Sequence, residues 1–148
     1  MKTVEDPPIF RLLTEVGIID QLVSNLLERN LPDGLKISQF PGLNHLVRLG
    51  GDWSPLRLAN AFQDTNGAMT NTIQRLEKRG LVRVKGDPED GRGKLVSITK
   101  KGKAMRTRCV DSVGPLIAAL TDEISEDELS RTLPVLEKLR SHLDTHRP

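Results

Sequence analysis

The side chains able to do covalent or metal chemistry are few in this chain and poorly spaced for it. Its three histidines, His45, His142 and His146, are scattered. No HExxH, GxSxG or GxxxxGK pattern occurs, and the carboxylates form no cluster of the kind catalysis uses. A single cysteine, Cys109, excludes an intrachain disulfide framework and a cysteine-based zinc cluster. The expectation is a protein that is not an enzyme and holds no metal or cofactor. One stretch does concentrate another kind of chemistry. "DPEDGRGK", residues 87–94, stands between the apolar runs "LVRV" and "LVSI". A plain hairpin turn takes roughly two to five residues. This one is longer, and it sets Arg92 between two glycines with acids just upstream. A cation offered on so open a backbone suits an anionic partner better than a reaction.

The charge distribution agrees. The net charge is only +2, but residues 52–103 carry eleven Lys/Arg against six Asp/Glu. Residues 1–51 carry five against six, and residues 104–148 six against eight. A basic middle between mildly acidic ends places an anionic partner at the middle. At 148 residues the chain can bury a real core. No apolar run approaches the ~20 residues of a membrane span, and "MKTVEDPPIF" lacks the apolar region of a secretory signal. The expectation is a cytoplasmic protein with no membrane partner.

The elements that must position these residues are legible from period and punctuation. Ile9, Leu12, Val16, Ile19, Val23 and Leu26 recur at alternating three- and four-residue steps, a heptad-like seam widened by Leu13, Leu22 and Leu27. A helix so apolar on adjoining faces can cover its own core and a partner at once, and "NLPDG" stops it. A short helix follows over "PGLNHLVRL", ended by Gly50 and Gly51. "WSPLRLANAF" then opens a helix with Ser54 as cap and Pro55 at its first position. Leu56, Ala59 and Phe62 are its expected buried stripe, and Trp53 is expected as a strand or hinge residue against the core. After a short turn, Thr65 or Asn66 caps "GAMTNTIQRLEKR", with Met69, Ile73 and Leu76 inward and Gly80 closing it. Two short helices joined by about four residues make a helix-turn-helix, and "LVRV" with "LVSI" make a hairpin. Thr99 caps the next helix, whose apolar face holds Met105 and Cys109 and which Gly114-Pro115 should kink or break. Ser125 and Glu128 form a capping box for the last helix. Its stripe is Leu129, Leu136 and Leu143, with Leu133 and Leu139.

A helix-turn-helix followed at once by a hairpin is a winged helix. With "LEKRGLV", "DPEDGRGKLVSIT" and "KKGKAM", residues 9–145 closely resemble the multiple antibiotic resistance regulator (MarR) family. The resemblance implies a mainly α (α+β) fold: a winged helix-turn-helix flanked by N- and C-terminal dimerisation helices. It implies a homodimeric transcriptional regulator, read here as a repressor, on a palindromic double-stranded DNA operator, with a small-molecule effector as a further partner. Residues 1–37 and 100–148 would form the dimerisation region, around Ile9, Leu12, Val16, Ile19, Leu129, Leu136, Leu139 and Leu143. Residues 38–99 would form the DNA-binding region, all within one integrated domain. In the family the wing-tip arginine enters the minor groove and the aspartate two residues earlier holds its guanidinium, roles that fall on Arg92 and Asp90. A narrow minor groove concentrates negative potential and attracts such an arginine; Gly91 and Gly93 would let the backbone approach, and Lys94 would meet a phosphate. Gly67, Ala68, Thr70, Asn71 and Gln74 would face base edges. Asparagine and glutamine can each pair bidentately with adenine, worth about 1–3 kcal/mol against a wrong base. The family often carries Ser or Arg where Gly67 and Asn71 stand, and no arginine near the start of this helix can grip guanine, so direct readout here should be weaker or more A·T-directed, with the wing supplying more of the affinity. Arg75, Lys78 and Arg79 suit phosphates or internal ion pairs, and Ser54 a phosphate or a simple cap.

Two other classes compete. A redox sensor would work through Cys109, with Arg106 and Arg108 lowering its pKa, although an apolar stripe is where buried, inert cysteine is the rule. A winged helix that binds protein would need an apolar, less basic recognition surface than the local charge provides.

Overall fold

A computed structural model describes residues 5–62 and 64–148. The order of elements is α1 (Pro8–Asn30), a 3-10 turn (Pro32–Gly34), α2 (Phe40–Leu49), α3 (Pro55–Phe62), α4 (Asn66–Lys78), β1 (Val82–Gly86), β2 (Lys94–Ile98), α5 (Lys100–Ser112), α6 (Gly114–Glu123) and α7 (Glu126–Thr145). The chain divides into two compact units, one ending at Ser112 and one beginning at Val113. The mainly helical, winged helix-turn-helix class is as expected.

The core lies in the first unit. Leu35, Leu43, Leu46, Leu58, Leu76, Leu81, Val96 and Cys109 are its fully enclosed side chains. β1 and β2 pair antiparallel with Val82 opposite Ile98 and Gly86 opposite Lys94. Trp53 joins this ribbon through a single antiparallel bridge to Val96. Its backbone N–H donates to the Val96 carbonyl (2.9 Å) and the Val96 N–H donates back (2.8 Å), which is the strand role expected of it.

Helix ends follow their residues. Gly50 ends α2 at φ 62° and Gly80 ends α4 at φ 73°, both in the left-handed region that side chains disfavour. The Thr65 hydroxyl accepts from the Ala68 N–H at 3.1 Å, and both halves of the Ser125–Glu128 capping box are formed. α7 runs through Pro134, whereas the chain breaks between Ser112 and Gly114, as Gly114-Pro115 predicts.

Two expectations need correction. In α3 the buried pair is Leu58 and Ala59, with Phe62 half-buried, while Leu56 is 55% exposed. Residues two positions apart lie about 200° apart around a helix, so once Leu58 faces inward Leu56 cannot. In α1 no side chain is buried. Leu12, Val23 and Leu27 are half-covered, but Ile9, Leu13, Val16, Ile19 and Leu22 stand exposed. Within one copy, therefore, this helix covers no core of its own. In the second unit, Leu136 and Leu139 are half-covered and Leu129, Leu133 and Leu143 exposed.

Candidate nucleic-acid interface

α4 divides cleanly along its length. Met69, Ile73 and Leu76 anchor it in the core. Gly67, Ala68, Thr70, Asn71, Gln74 and Arg75 are all exposed, so every residue expected to read or grip DNA from this helix reaches solvent. Two hydrogen bonds mark its start: Asp64 accepts from the Thr65 N–H (3.0 Å) and Thr65 in turn caps Ala68. Among the described residues Arg75 and Lys78 make no ion pair. Arg79, by contrast, donates to the Asp33 backbone carbonyl at 2.8 Å, an internal hydrogen bond and not the ion pair expected as one of its two roles.

The hairpin tip is a loop built by its own acids. Asp87 accepts from the Glu89 N–H (2.9 Å) and Asp90 from the Arg92 N–H (3.1 Å). These are Asx turns, in which a short carboxylate imitates a backbone carbonyl. The Asp87 N–H donates to the Gly93 carbonyl (3.0 Å), and the Gly93 N–H donates to the Asp90 carbonyl (2.9 Å), closing the loop. A side chain at Gly93 would crowd Asp87 Cβ at 3.3 Å, so this glycine serves loop closure as much as any approach to a duplex. Asp90 thus holds the backbone of Arg92. Its carboxylate makes no ion pair with the guanidinium or with any other described cation, and Arg92 extends exposed from a fixed base.

α4 and the hairpin share one face. Thr70, Gln74, Ile73 and Glu77 of α4, with Pro55 of α3 and Val84 and Lys94 of the hairpin, line a cleft of about 110 Å³. Ser54 is half-buried, and its hydroxyl accepts from the Arg57 N–H (3.2 Å), so the cap role is filled.

Several supports were not foreseen. Lys85 of β1 pairs with Asp52 at 3.2 Å, which ties the hairpin to the segment before α3. The Arg57 guanidinium lies 4.2 Å from the centre of the Trp53 ring, and the Trp53 indole N–H donates to the Gly50 carbonyl (2.8 Å). His45 meets Trp53 and Phe62 edge-on, with centroids 4.5 and 5.1 Å apart. Its Nε2 is buried without a hydrogen-bond partner among the described residues. Burial, then the charges of Arg48 and Arg57, lowers its pKa below the ordinary value. Arg108 forms a two-pronged pair with Asp33, whose φ of 54° is the one left-handed non-glycine conformation among the described residues. The "PDG" turn was the only sequence cue to that node.

Cys109 is 1% exposed, and burial raises its thiol pKa against the lowering influence of Arg108 and Arg79. Arg108 is held by Asp33, and Arg106 donates to Asn44 Oδ1 at 3.1 Å. A buried thiol with a raised pKa is a poor peroxide target, so the redox alternative is not favoured. The protein-binding alternative fares no better, since the exposed face of α4 is polar.

The comparisons with known proteins fall on the same elements. The MarR family profile matches residues 33–93. The multiple antibiotic resistance protein MarR of Salmonella typhimurium is 30% identical over 121 residues, 81% of each chain. Its counterpart from Escherichia coli K12 is 28% identical over 145 residues, 94% of this chain and 99% of that one. A crystal structure of a cysteine-to-serine mutant of E. coli MarR complexed with operator DNA superimposes with a TM-score of 0.75 at 29% identity. It covers 88% of this chain and 94% of the other.

Proposed function

The chain belongs to the MarR family of transcriptional regulators, and from that premise we propose that two copies grip one duplex, each with α4 in the major groove and its hairpin in the adjacent minor groove. The observation that carries this reading is the shared face: a polar, core-anchored helix and a cationic hairpin lining one cleft. Asn71 and Gln74 read base edges, adenine first. Gly67, Ala68 and Thr70 admit the helix start to the groove, and Arg75, Lys94 and the amides behind Ser54 contact phosphates. Arg92 enters the minor groove from a loop that Asp90 holds in shape. The relative crystallised with operator DNA supports the partner class.

The direction of regulation is read as repression, with a homodimer on a palindromic site. A small-molecule effector would bind between α1, α2 and α5, near His45 and Arg48, a placement taken from the family resemblance. No described helix is long and apolar enough to cross a membrane. The protein's own upstream intergenic DNA is the first duplex to offer it.

Arg92→Ala tests the wing. Removing the minor-groove arginine from both half-sites should weaken binding across many sequences by roughly tenfold or more and flatten the salt dependence by about one phosphate equivalent per half-site, roughly 1.8 in log K against log salt for the dimer. The measurement is a fluorescence titration at several salt concentrations. Unchanged affinity and slope would remove the hairpin from the interface.

A further inference from the structure

Resting on that DNA-binding reading, we infer that Asn66 is a site of spontaneous deamidation, and that the carboxylate it forms at the start of α4 lowers the protein's hold on DNA with age. Asn66 is followed by Gly67, the only Asn-Gly pair in the chain. Deamidation begins when the next residue's backbone nitrogen attacks the asparagine Cγ, and a side chain on that next residue obstructs the approach. Gly67 has none, and nothing lies within 4 Å of where its Cβ would be.

The local structure leaves the reacting groups free. Asn66 is the first residue of α4, and both it and Gly67 are exposed. The first amides of a helix have no intrahelical acceptor. The Thr65 cap engages the Ala68 N–H and not that of Gly67. Among the described residues, the Gly67 N–H and the Asn66 carboxamide make no hydrogen bond. Bringing the nitrogen onto Cγ requires the first turn to fray, the least costly opening a helix undergoes. Three other asparagines are restrained. Asn30 donates to the Leu26 carbonyl and Asn44 accepts from Arg106, while Asn71 lies inside α4 ahead of the β-branched Thr72.

The chemistry balances without an oxidant or a cofactor. The Gly67 nitrogen forms a bond to Asn66 Cγ, the Cγ–Nδ2 bond breaks, and ammonia leaves with the Gly67 amide proton. Water then opens the five-membered succinimide at either carbonyl, giving aspartate or isoaspartate. The fold tolerates the aspartate, because the positive end of the helix dipole favours an anion there. DNA does not. A new negative charge some 7 Å from a phosphate, screened by water, costs about threefold in affinity per half-site, and isoaspartate further displaces Gly67 and Ala68.

The test ages the purified full-length protein in warm, mildly alkaline buffer. It follows the mass of the peptide containing Asn66, helicity, and affinity for a mixed-sequence duplex at low salt. The expected result is conversion of the amide to acid at Asn66, unchanged helicity, and at least a threefold loss of affinity in the converted fraction. Asn66→Gln, compared with its own fresh sample, should keep its affinity. Asp33-Gly34 and Asp90-Gly91 can also isomerise, but without a change of mass, and the fragment ions of the peptide place the mass gain at Asn66 rather than at Asn60 or Asn71. An Asn66 that keeps its amide overturns the proposal, as does converted protein that binds like fresh protein. Equal loss of affinity by Asn66→Gln overturns it too. A fresh protein with no affinity for any duplex removes the DNA-binding reading and this consequence with it, while the mass still decides the chemistry.

Discussion

At the scale of single residues, loop closure and packing decide what a side chain holds. Asp90 shows this. The family resemblance implied a carboxylate pinning the Arg92 guanidinium, and in the structure Asp90 accepts from the Arg92 backbone N–H instead. Both arrangements fit the same two letters, because only the loop's closure through Asp87 and Gly93 decides where the carboxylate points. His45 is a second case: nothing in "LNHLV" announces that its ring will pack against Trp53 and Phe62. That burial has a pH consequence. The folded-state pKa of His45 is lowered by burial and by Arg48 and Arg57, so the unfolded chain takes up the proton more readily. The His45 contribution to stability should therefore be level at neutral pH and above, and decline as pH falls through about 6.5, the ordinary histidine value, toward the lowered folded value. Urea midpoints taken across that interval measure the slope. His45→Leu should lose part of it, and a variant with the parental slope would show that His45 does not contribute.

At the scale of elements, local chemistry gave most boundaries, since caps and breakers act within a few residues. Thr65, Gly80, Thr99 and Ser125 each end or begin a helix where their side chains or lack of one require it. Misplaced faces arose where a helix is short: over the eight residues of α3, a stripe through Leu56 and one through Leu58 are equally periodic, and only packing chooses. The junction of the hairpin with α5 shows how tightly elements can be fitted once placed. Thr99 donates to the Gly80 carbonyl (2.7 Å) and accepts from the Gly102 N–H (3.0 Å). A Cβ at Gly102 would lie 2.1 Å from the Leu81 carbonyl oxygen and 2.5 Å from Ile98 Cδ1. The first is backbone and cannot swing aside. Gly102→Ala should therefore push α5 off the hairpin's base and cost about 1–3 kcal/mol, the range for overpacking a filled core. A denaturant midpoint equal to the parent's would mean that the junction yields more easily than this geometry allows.

At the scale of the whole molecule, the apolar surface of α1 is the strongest argument for a partner. Ile9, Phe10, Leu13, Val16, Ile18, Ile19 and Leu22 lie exposed on one helix, with Ile19 at 55%. The second unit adds Leu129, Leu133, Val135 and Leu143 of α7. Monomeric proteins rarely leave so much contiguous apolar surface to water. A heptad-like repeat is the pattern by which one helix packs on another, so a second copy is the occupant we propose for both units. The sequence showed this seam but could not show that a single copy leaves it bare, because periodicity marks a face and not what covers it. Ile19→Glu tests the dimer. It places a charge in the seam of α1 while leaving the core untouched, since no α1 side chain is buried within one copy. Burying an unpaired carboxylate in each copy costs several kcal/mol, enough to shift a micromolar sample to monomer in sedimentation, with helicity retained. DNA affinity should then fall far more than for Arg92→Ala. The dimer's second half-site binds at the high effective concentration set by the first, whereas a monomer must hold each half-site alone. A variant that sediments as a dimer would place the self-association surface elsewhere. A monomer that kept full affinity would show that each copy reads DNA without its partner.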